Sequence, residues 1–538
     1  MNRIDRRDLL KSVGAGAAGM ALAGIGRGAA APKGRAPNIV IIMTDQQRAE
    51  LRKSQGCPLD TMPLLDSLAA GGVEFNRAYT CNPTCVPARV GMLTGRFGSA
   101  NRVRTNHNAA DAYFLKDLPG ALRAAGYAVG MSGKNHSHLK AGDFDFHFPL
   151  GHGGGSGLDR SEQEKAFDQW LTALAHRTSL VPTPFPLECQ GPYRAVAKAQ
   201  EWIGSLQRDA ENRKPFLLWL TFAEPHNPYQ VPKPYFDMFP PDQLPRPRTT
   251  AADIDRKGPV HRWLYDTWHK VLPDYDQQLA RTRSNYFGML RLIDDQIKRF
   301  VTFLDAQGLR KDTIIVFVSD HGDFVGEYGL IRKGAGVDEC LARIPMVWTG
   351  PGVKAGLKPD AHVSLVDVMP TLLDMAGVEM PEGVQGRTLR AILTGGQYAA
   401  KDFSSILVEQ GYGGLKITGN DDLDLREEGA VNTGATFDCL NSWTQSGTLR
   451  AVRKGDWKLV LDAEGNGQLY HLAEDPAEVN NRFNDESCCA AREEMMVELA
   501  RWLIQVQDPL PYPRARYAFK RNPLTYPMPA DKLLWKQP

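Results

Sequence analysis

The sequence has no surplus of charge of either sign: 64 lysines and arginines face 62 aspartates and glutamates, a formal net charge of +2 over 538 residues. Nucleic-acid binding and attachment to anionic lipid both draw on a basic excess, so the balance supports neither. Long apolar runs are missing too, and no stable membrane span is expected; the mildly apolar stretch at 13–26 is mostly Ala and Gly, which contribute little transfer free energy. Cysteine is scarce. The eight thiols, at positions 57, 81, 85, 189, 340, 439, 488 and 489, have neither the paired spacing of a zinc ribbon nor the density of a disulfide scaffold. No internal repeat is present. What is there is ordinary globular composition, 42% hydrophobic and 23% charged, with length for a large core and a smaller module.

Residues 1–31 read as a twin-arginine signal peptide. Asp5-Arg6-Arg7-Asp8-Leu9-Leu10-Lys11 precedes the Ala/Gly-rich run, and small residues follow at Gly28-Ala29-Ala30-Ala31. Pro32 disfavours cutting directly before it, which places cleavage after Ala30. This route carries folded protein, so the expected partner is the twin-arginine export machinery and the expected destination is the periplasm or the medium.

From residue 32 to 435 short apolar runs alternate with helix-like stretches. Runs at 38–43, 127–131, 216–222, 314–318 and 344–348 are continuous rather than alternating, as buried strands are. Stretches 61–70, 115–125, 194–206 and 286–307 have helical periodicity. The alternation predicts an α/β domain on a large, mainly parallel sheet covered by helices. Several runs end in polar residues: Thr44-Asp45-Gln46, Gly133-Lys134, Glu224-Pro225-His226 and Ser319-Asp320-His321. Carboxyl ends of strands line the ligand crevice in such sheets, so these residues are expected at one rim. Residues 436–538 are expected to form a smaller α+β subdomain, with short strands near 449–453, 457–461 and 468–472, a helix at 490–507 and an extended Pro-rich tail from 509.

Cys85-Val86-Pro87-Ala88-Arg89, followed by Leu93-Thr94-Gly95-Arg96, is on its own compatible with a structural thiol opening a helix. It also resembles the signature of the formylglycine-dependent sulfatases, of the alkaline phosphatase-like superfamily. Asp45-Gln46, Gly133-Lys134-Asn135-His136, Pro225-His226-Asn227-Pro228, Ser319-Asp320-His321-Gly322 and Leu330-Ile331-Arg332-Lys333-Gly334 follow in the family's order. So do Leu365-Val366-Asp367 and Asp475-Pro476-Ala477-Glu478, which extends the resemblance from about 37 to 482. The resemblance implies that a maturation enzyme oxidises Cys85 to formylglycine (3-oxoalanine). Its hydrate then cleaves a sulfate monoester through a covalent sulfo-enzyme intermediate, and the second hydroxyl expels sulfate. Cys81 also precedes a proline, but no arginine follows in frame.

The resemblance further implies that Asp45, Gln46, Asp320 and His321, with position 85, hold one divalent metal ion. The oxygen-rich set suits Ca²⁺, with Mn²⁺ or Mg²⁺ open because of the imidazole. It implies that Arg89 and Lys134 hold the aldehyde hydrate, that His136 is the base for sulfate elimination, and that Lys134, His226 and Lys333 bind the sulfate, the last two protonating the leaving oxygen. His138, two residues past His136, is expected as an additional substrate contact. His107, His147 and His152 receive no role, and Gly151-His152-Gly153-Gly154-Gly155 reads as a flexible loop. Gln46 stands where many relatives have a second aspartate, and Asn135 where an aromatic is frequent. Exported relatives suggest a sulfated carbohydrate or small molecule as substrate; Tyr229, Trp263, Tyr265 and Trp268 fit either a sugar platform or core packing. Two alternatives differ in class: a phosphonate or phosphate-ester hydrolase on the same scaffold, and a catalytically silent protein that binds sulfated glycans.

Overall fold

The apolar run beginning at residue 38 becomes the middle strand of a seven-stranded sheet. The structure is a computed structural model, and it describes residues 36–411 and 448–507 apart from 156, 158, 209–212, 273 and 335. The twin-arginine segment, the 435/436 boundary, Cys439 and the Pro-rich tail lie outside the described residues. The strands are β1 (Asn38–Asp45), β2 (Val73–Glu74), β3 (Ala78–Tyr79), β4 (Ala128–Gly133), β5 (Phe146–Pro149), β6 (Phe216–Pro225), β7 (Thr313–Ser319), β8 (Met346–Thr349) and β9 (Val363–Ser364), then β10 (Ser405–Gln410), β11 (Leu449–Lys454), β12 (Trp457–Asp462) and β13 (Gly467–His471).

The large sheet runs β2-β8-β7-β1-β6-β4-β5. Strands β7, β1, β6, β4 and β5 are mutually parallel, and β8 joins β7 antiparallel. Continuous apolarity in the central strands follows from cover on both faces. In β1, Val40 and Ile42 enter one core and Ile39, Ile41 and Met43 the other. Helices α1 (Pro63–Ala70), α4 (Gly191–Arg208) and α5 (Tyr275–Ala306) cover the first face; α2 (Cys85–Thr94), α3 (Leu118–Ala124) and α6 (Val368–Ala376) cover the second. Helix α5 begins eleven positions before the expected 286, because its first three turns bury polar side chains such as Thr282, Ser284 and Asn285 and so show no apolar stripe.

β10 to β13 form a second, antiparallel sheet. Helix α7 (Cys489–Gln507) lays Met495, Leu499, Trp502 and Val506 on one face against Leu407, Val452, Leu459 and Leu469. The other face meets Tyr79, Val337 and Ala342 of the large unit. Glu478 ties the two together: it pairs with Lys458 at 2.7 Å and accepts the Glu339 N–H at 2.6 Å. Among the described residues no helix is long and apolar enough to cross a membrane.

Candidate active site

Four strand ends meet at one rim. Thr44 pairs with Ser319 across the β1–β7 ladder, so Asp45-Gln46 and Asp320-His321 leave the sheet side by side. The Gln46 N–H donates to Asp320 Oδ1 at 3.0 Å. β6, on the other side of β1, brings Glu224 and His226. β4 ends at Gly133, where a Cβ would stand 1.6 Å from the Thr221 carbonyl oxygen; glycine at φ +111° is what lets the chain turn and bring Lys134 inward. Helix α2 supplies the fifth element. Cys85 is its first residue, Pro87 lies in the first turn where a missing N–H is harmless, and all ten residues are buried.

The Cys85 Sγ lies 3.2 Å from His321 Nε2, 3.6 Å from Asp45 Oδ1 and 4.0 Å from Lys134 Nζ. Lys333 and His136 also lie close enough to feel this sulfur, His136 from an exposed position with a left-handed backbone (φ 41°). Arg89, one turn along α2 on the same face, donates through Nε to Asp320 Oδ2 at 2.9 Å, through Nη2 to Asp45 Oδ2 at 3.1 Å and through Nη1 to the Lys134 carbonyl at 2.8 Å. Lys134 Nζ donates to Asp45 Oδ2.

Gln46 is oriented from behind. Its Nε2 donates to Asp323 Oδ2 at 2.6 Å, and a carboxylate only accepts, so Oε1 faces Lys333 Nζ at 3.0 Å. Asp323, which no sequence motif singled out, also receives Tyr229 OH at 2.7 Å and the Val325 N–H at 2.8 Å. His321 donates Nδ1–H to the Gly322 carbonyl at 2.9 Å, which turns Nε2 toward Cys85. One ligand atom each from Asp45, Cys85, Asp320 and His321 lies within 4.8 Å of all the others. Two carboxylates and an imidazole nitrogen around one space fit a divalent cation.

Burial and the Asp45 charge push the Cys85 thiol up, but Lys134, Lys333 and His321 outweigh both and hold it well below its ordinary range. Burial and Glu409 push the Cys81 thiol up instead, so position 85 alone has thiolate character at this end of α2. Burial opposes ionisation of Asp45, yet Lys134 and, behind it, Arg89 keep it charged. Lys333, despite burial, is held above the usual lysine range by Cys85, Asp45 and Asp320. Burial and the Lys333 charge press His226 well below its ordinary value, so the ring is neutral. Three buried cations, Arg89, Lys134 and Lys333, thus share the site with two carboxylates, Asp45 and Asp320, and gather around position 85.

The residues named from sequence mostly converge, with exceptions. His138 is turned away: its Nε2 pairs with Asp117 Oδ2 at 2.9 Å and its ring packs on Phe114. Trp263 and Trp268 are buried in the core and Tyr229 is spent on Asp323, so these three form no sugar platform; Tyr265 packs on His269. The glycine-rich run at 151–155 is a hydrogen-bonded turn rather than a flexible loop, since Gly151 and Gly154 exchange hydrogen bonds at 2.8 and 3.0 Å. It delivers His152, which sequence reasoning left without a role, to within 2.6 Å of Lys134 Nζ.

Glu224, His152, His226 and Arg194 line a cavity beside the site. Burial pushes Glu224 up to about 7 from 4.5. Between these values the folded protein keeps a proton that the unfolded chain has released, so this group's contribution to stability falls as pH rises through the window. Glu224→Gln removes the effect. Its thermal midpoint relative to the parent is expected to rise by about 2 °C or more between about pH 5 and pH 8. A constant difference across that range would show that Glu224 titrates normally.

The family model described as Sulfatase matches residues 37–378. The arylsulfatase of Clostridium perfringens is 28% identical over 478 residues, covering 84% of this chain and 91% of its own. The N-acetylglucosamine-6-O-sulfatase of Bacteroides thetaiotaomicron is 23% identical over 550 residues, covering 90% and 89%. Among solved structures, the phosphonate monoester hydrolase of Agrobacterium radiobacter superposes with a TM-score of 0.69 at 24% identity, over 87% of this chain and 96% of that one. That likeness speaks for the fold alone.

Proposed function

The chain belongs to the sulfatase family, and from that premise we propose that it hydrolyses a sulfate monoester carried by a carbohydrate, using formylglycine made from Cys85. The observation that carries the reading is the convergence of the Cys85 sulfur with Asp45, Asp320 and His321 inside a ring of buried cations. Formylglycine hydrate supplies a geminal diol, one oxygen for attack on sulfur and a second whose collapse releases sulfate. A divalent cation, Ca²⁺ by preference and Mn²⁺ or Mg²⁺ as alternatives, would be held by Asp45, Gln46, Asp320 and His321 and would supply positive charge beside the attacking oxygen.

The remaining work falls to the chain's own groups. Arg89 bridges Asp45 and Asp320 and adds charge behind position 85. Lys134 and Lys333 meet the sulfuryl oxygens. Lys333 keeps its proton in the resting site, and negative charge arriving with the ester favours protonation of His226, so both can serve the departing alkoxide. His136, exposed at the mouth, would take the proton when sulfate is eliminated. Support for a sugar substrate comes from the glucosamine-sulfatase relative, and support for export to the periplasm or medium from the twin-arginine pattern in the sequence.

A second reading, hydrolysis of phosphonate or phosphate esters, draws on the same geometry. Gln46 leaves the site one negative charge short of an aspartate pair, which suits a more highly charged ester. Protein co-produced with a formylglycine-generating enzyme should turn over aryl and sugar sulfates faster than matched phosphate monoesters, diesters and phosphonates. Chelation should remove the activity and a divalent cation restore it. Dominant phosphonate hydrolysis would overturn the sulfatase reading.

A further inference from the structure

His152 stands in the middle of the proposed machinery and none of the roles above uses it. We propose that His152 is a positioning residue that fixes the Lys134 ammonium and the His226 ring relative to position 85; the inference rests on the function proposed above.

Lys134 Nζ has three protons and no lone pair. One proton goes to Asp45 Oδ2 and one to His152 Nε2 at 2.6 Å, which leaves the third for position 85, whose sulfur is 4.0 Å away. Two acceptors set the direction of the remaining N–H; with Asp45 alone the ammonium would be free to rotate about that bond. Because Nε2 accepts, the proton of neutral His152 is on Nδ1, and Nδ1 is buried with no hydrogen-bond partner among the described residues. The same imidazole stacks on His226, with ring centroids 3.8 Å apart and planes 24° from parallel. His226 is pinned at its other side by Nδ1–H donation to the Asn227 carbonyl at 2.7 Å, so its Nε2 has one direction to face. His176 closes the far edge of His152, edge-on at 5.9 Å.

The turn that carries His152 is built to hold it in place. Its tip is His152-Gly153, closed by the reciprocal bonds of Gly151 and Gly154. Gly154 has φ +81°, and a Cβ there would lie 1.8 Å from Asp168 Oδ1. That carboxylate receives Arg194 Nη1 at 2.8 Å, Arg160 Nη1 at 2.6 Å and the Gly155 N–H at 3.2 Å. A backbone pressed this closely on a buried, doubly paired aspartate fixes the tip with respect to the sheet.

Three substitutions in metal-loaded, formylglycine-bearing enzyme separate positioning from packing. His152→Ala should lower kcat by about 30-fold or more while KM changes by less than about threefold. His152→Gln, which offers an oxygen to Lys134, should recover most of the loss, and His152→Phe, which keeps the stack without the acceptor, should not. A kcat for His152→Ala within about twofold of the parent, or equal recovery by Phe and Gln, would overturn the inference. So would a rise in KM alone, which would make His152 a substrate contact. Imidazole ¹⁵N–¹H correlation spectra of the parent protein give a readout that needs no substrate. The Nδ1–H tautomer of His152 at neutral pH is expected, and Nε2–H or a protonated ring would refute the Lys134 contact. Parent enzyme that shows this tautomer but no sulfate-ester turnover would sink the sulfatase reading and leave the contact standing.

Discussion

Cys85→Ala is expected to lower sulfate-ester turnover by about four orders of magnitude or more, because the variant lacks both the attacking oxygen and the group that later expels sulfate. Cys85→Ser is the more instructive variant. A serine hydroxyl at the N-terminus of α2 would have the same neighbours, Lys134, Lys333 and His321, and so could be sulfated once. With no second hydroxyl on the same carbon the adduct has no internal exit, and the variant should release at most one equivalent of alcohol and then stop. Sulfation of the introduced hydroxyl would be visible as a mass increase on the peptide that contains position 85. In the parent protein the same peptide should carry an aldehyde in place of the thiol. A peptide with an unmodified thiol, from protein that nonetheless turns over sulfate esters, would refute the formylglycine mechanism.

Arg89→Met should damage both folding and chemistry. The guanidinium is fully buried and bonds Asp45, Asp320, the Lys134 carbonyl and Thr221 Oγ1 at once. Methionine fills much of the volume but leaves Asp45 and Asp320 without the cation that bridges them. Breaking a buried pair from one side typically costs about 3–5 kcal/mol, far more than loss of an exposed pair. A divalent cation between Asp45 and Asp320 would offset part of this, so the destabilisation should be larger after chelation than with metal present. Denaturant unfolding of both forms measures the difference. Turnover should fall by about 10³-fold, and Arg89→Lys should rescue stability better than rate, since a single ammonium cannot bridge the two carboxylates as a fork does. A variant with the parent's unfolding midpoint in both metal states would contradict this account of Arg89.

The central fold was legible because buried parallel strands leave a coarse signal. The runs at 38–43, 216–222 and 314–318 lie in β1, β6 and β7, with ends displaced by a few residues at most. The polar residue after each run was sufficient to place Asp45, Glu224 and Asp320 at one rim. Less regular pieces were hidden for identifiable reasons. The start of α5 buries hydroxyls and amides, and β5 is a four-residue edge strand, Phe146–Pro149, too short for periodicity to register. The site followed the same division. Residues inside ordered motifs converged, whereas the contacts of His152 with His226 and of Asp323 with Gln46 and Tyr229 reach residues far away in sequence, which spacing cannot reveal. His138 misled for the converse reason. Two residues from His136 is close in sequence, but the intervening turn swings its ring to Asp117.

An enzyme cannot oxidise a side chain that it cannot reach. Cys85 is 1% exposed, and the helix it begins is buried along its whole length against the sheet and α6. If formylglycine is the working form, the maturation enzyme must take hold of residues 85–89 as an open strand of chain, before α2 docks. Oxidation and folding therefore compete in time, and whichever is first decides the outcome for each molecule. A chain that closes over an unmodified thiol has lost its chance and is left correctly folded and inert. The specific activity of any preparation is then a record of that race, set by folding speed and maturation capacity as much as by the chemistry of the site.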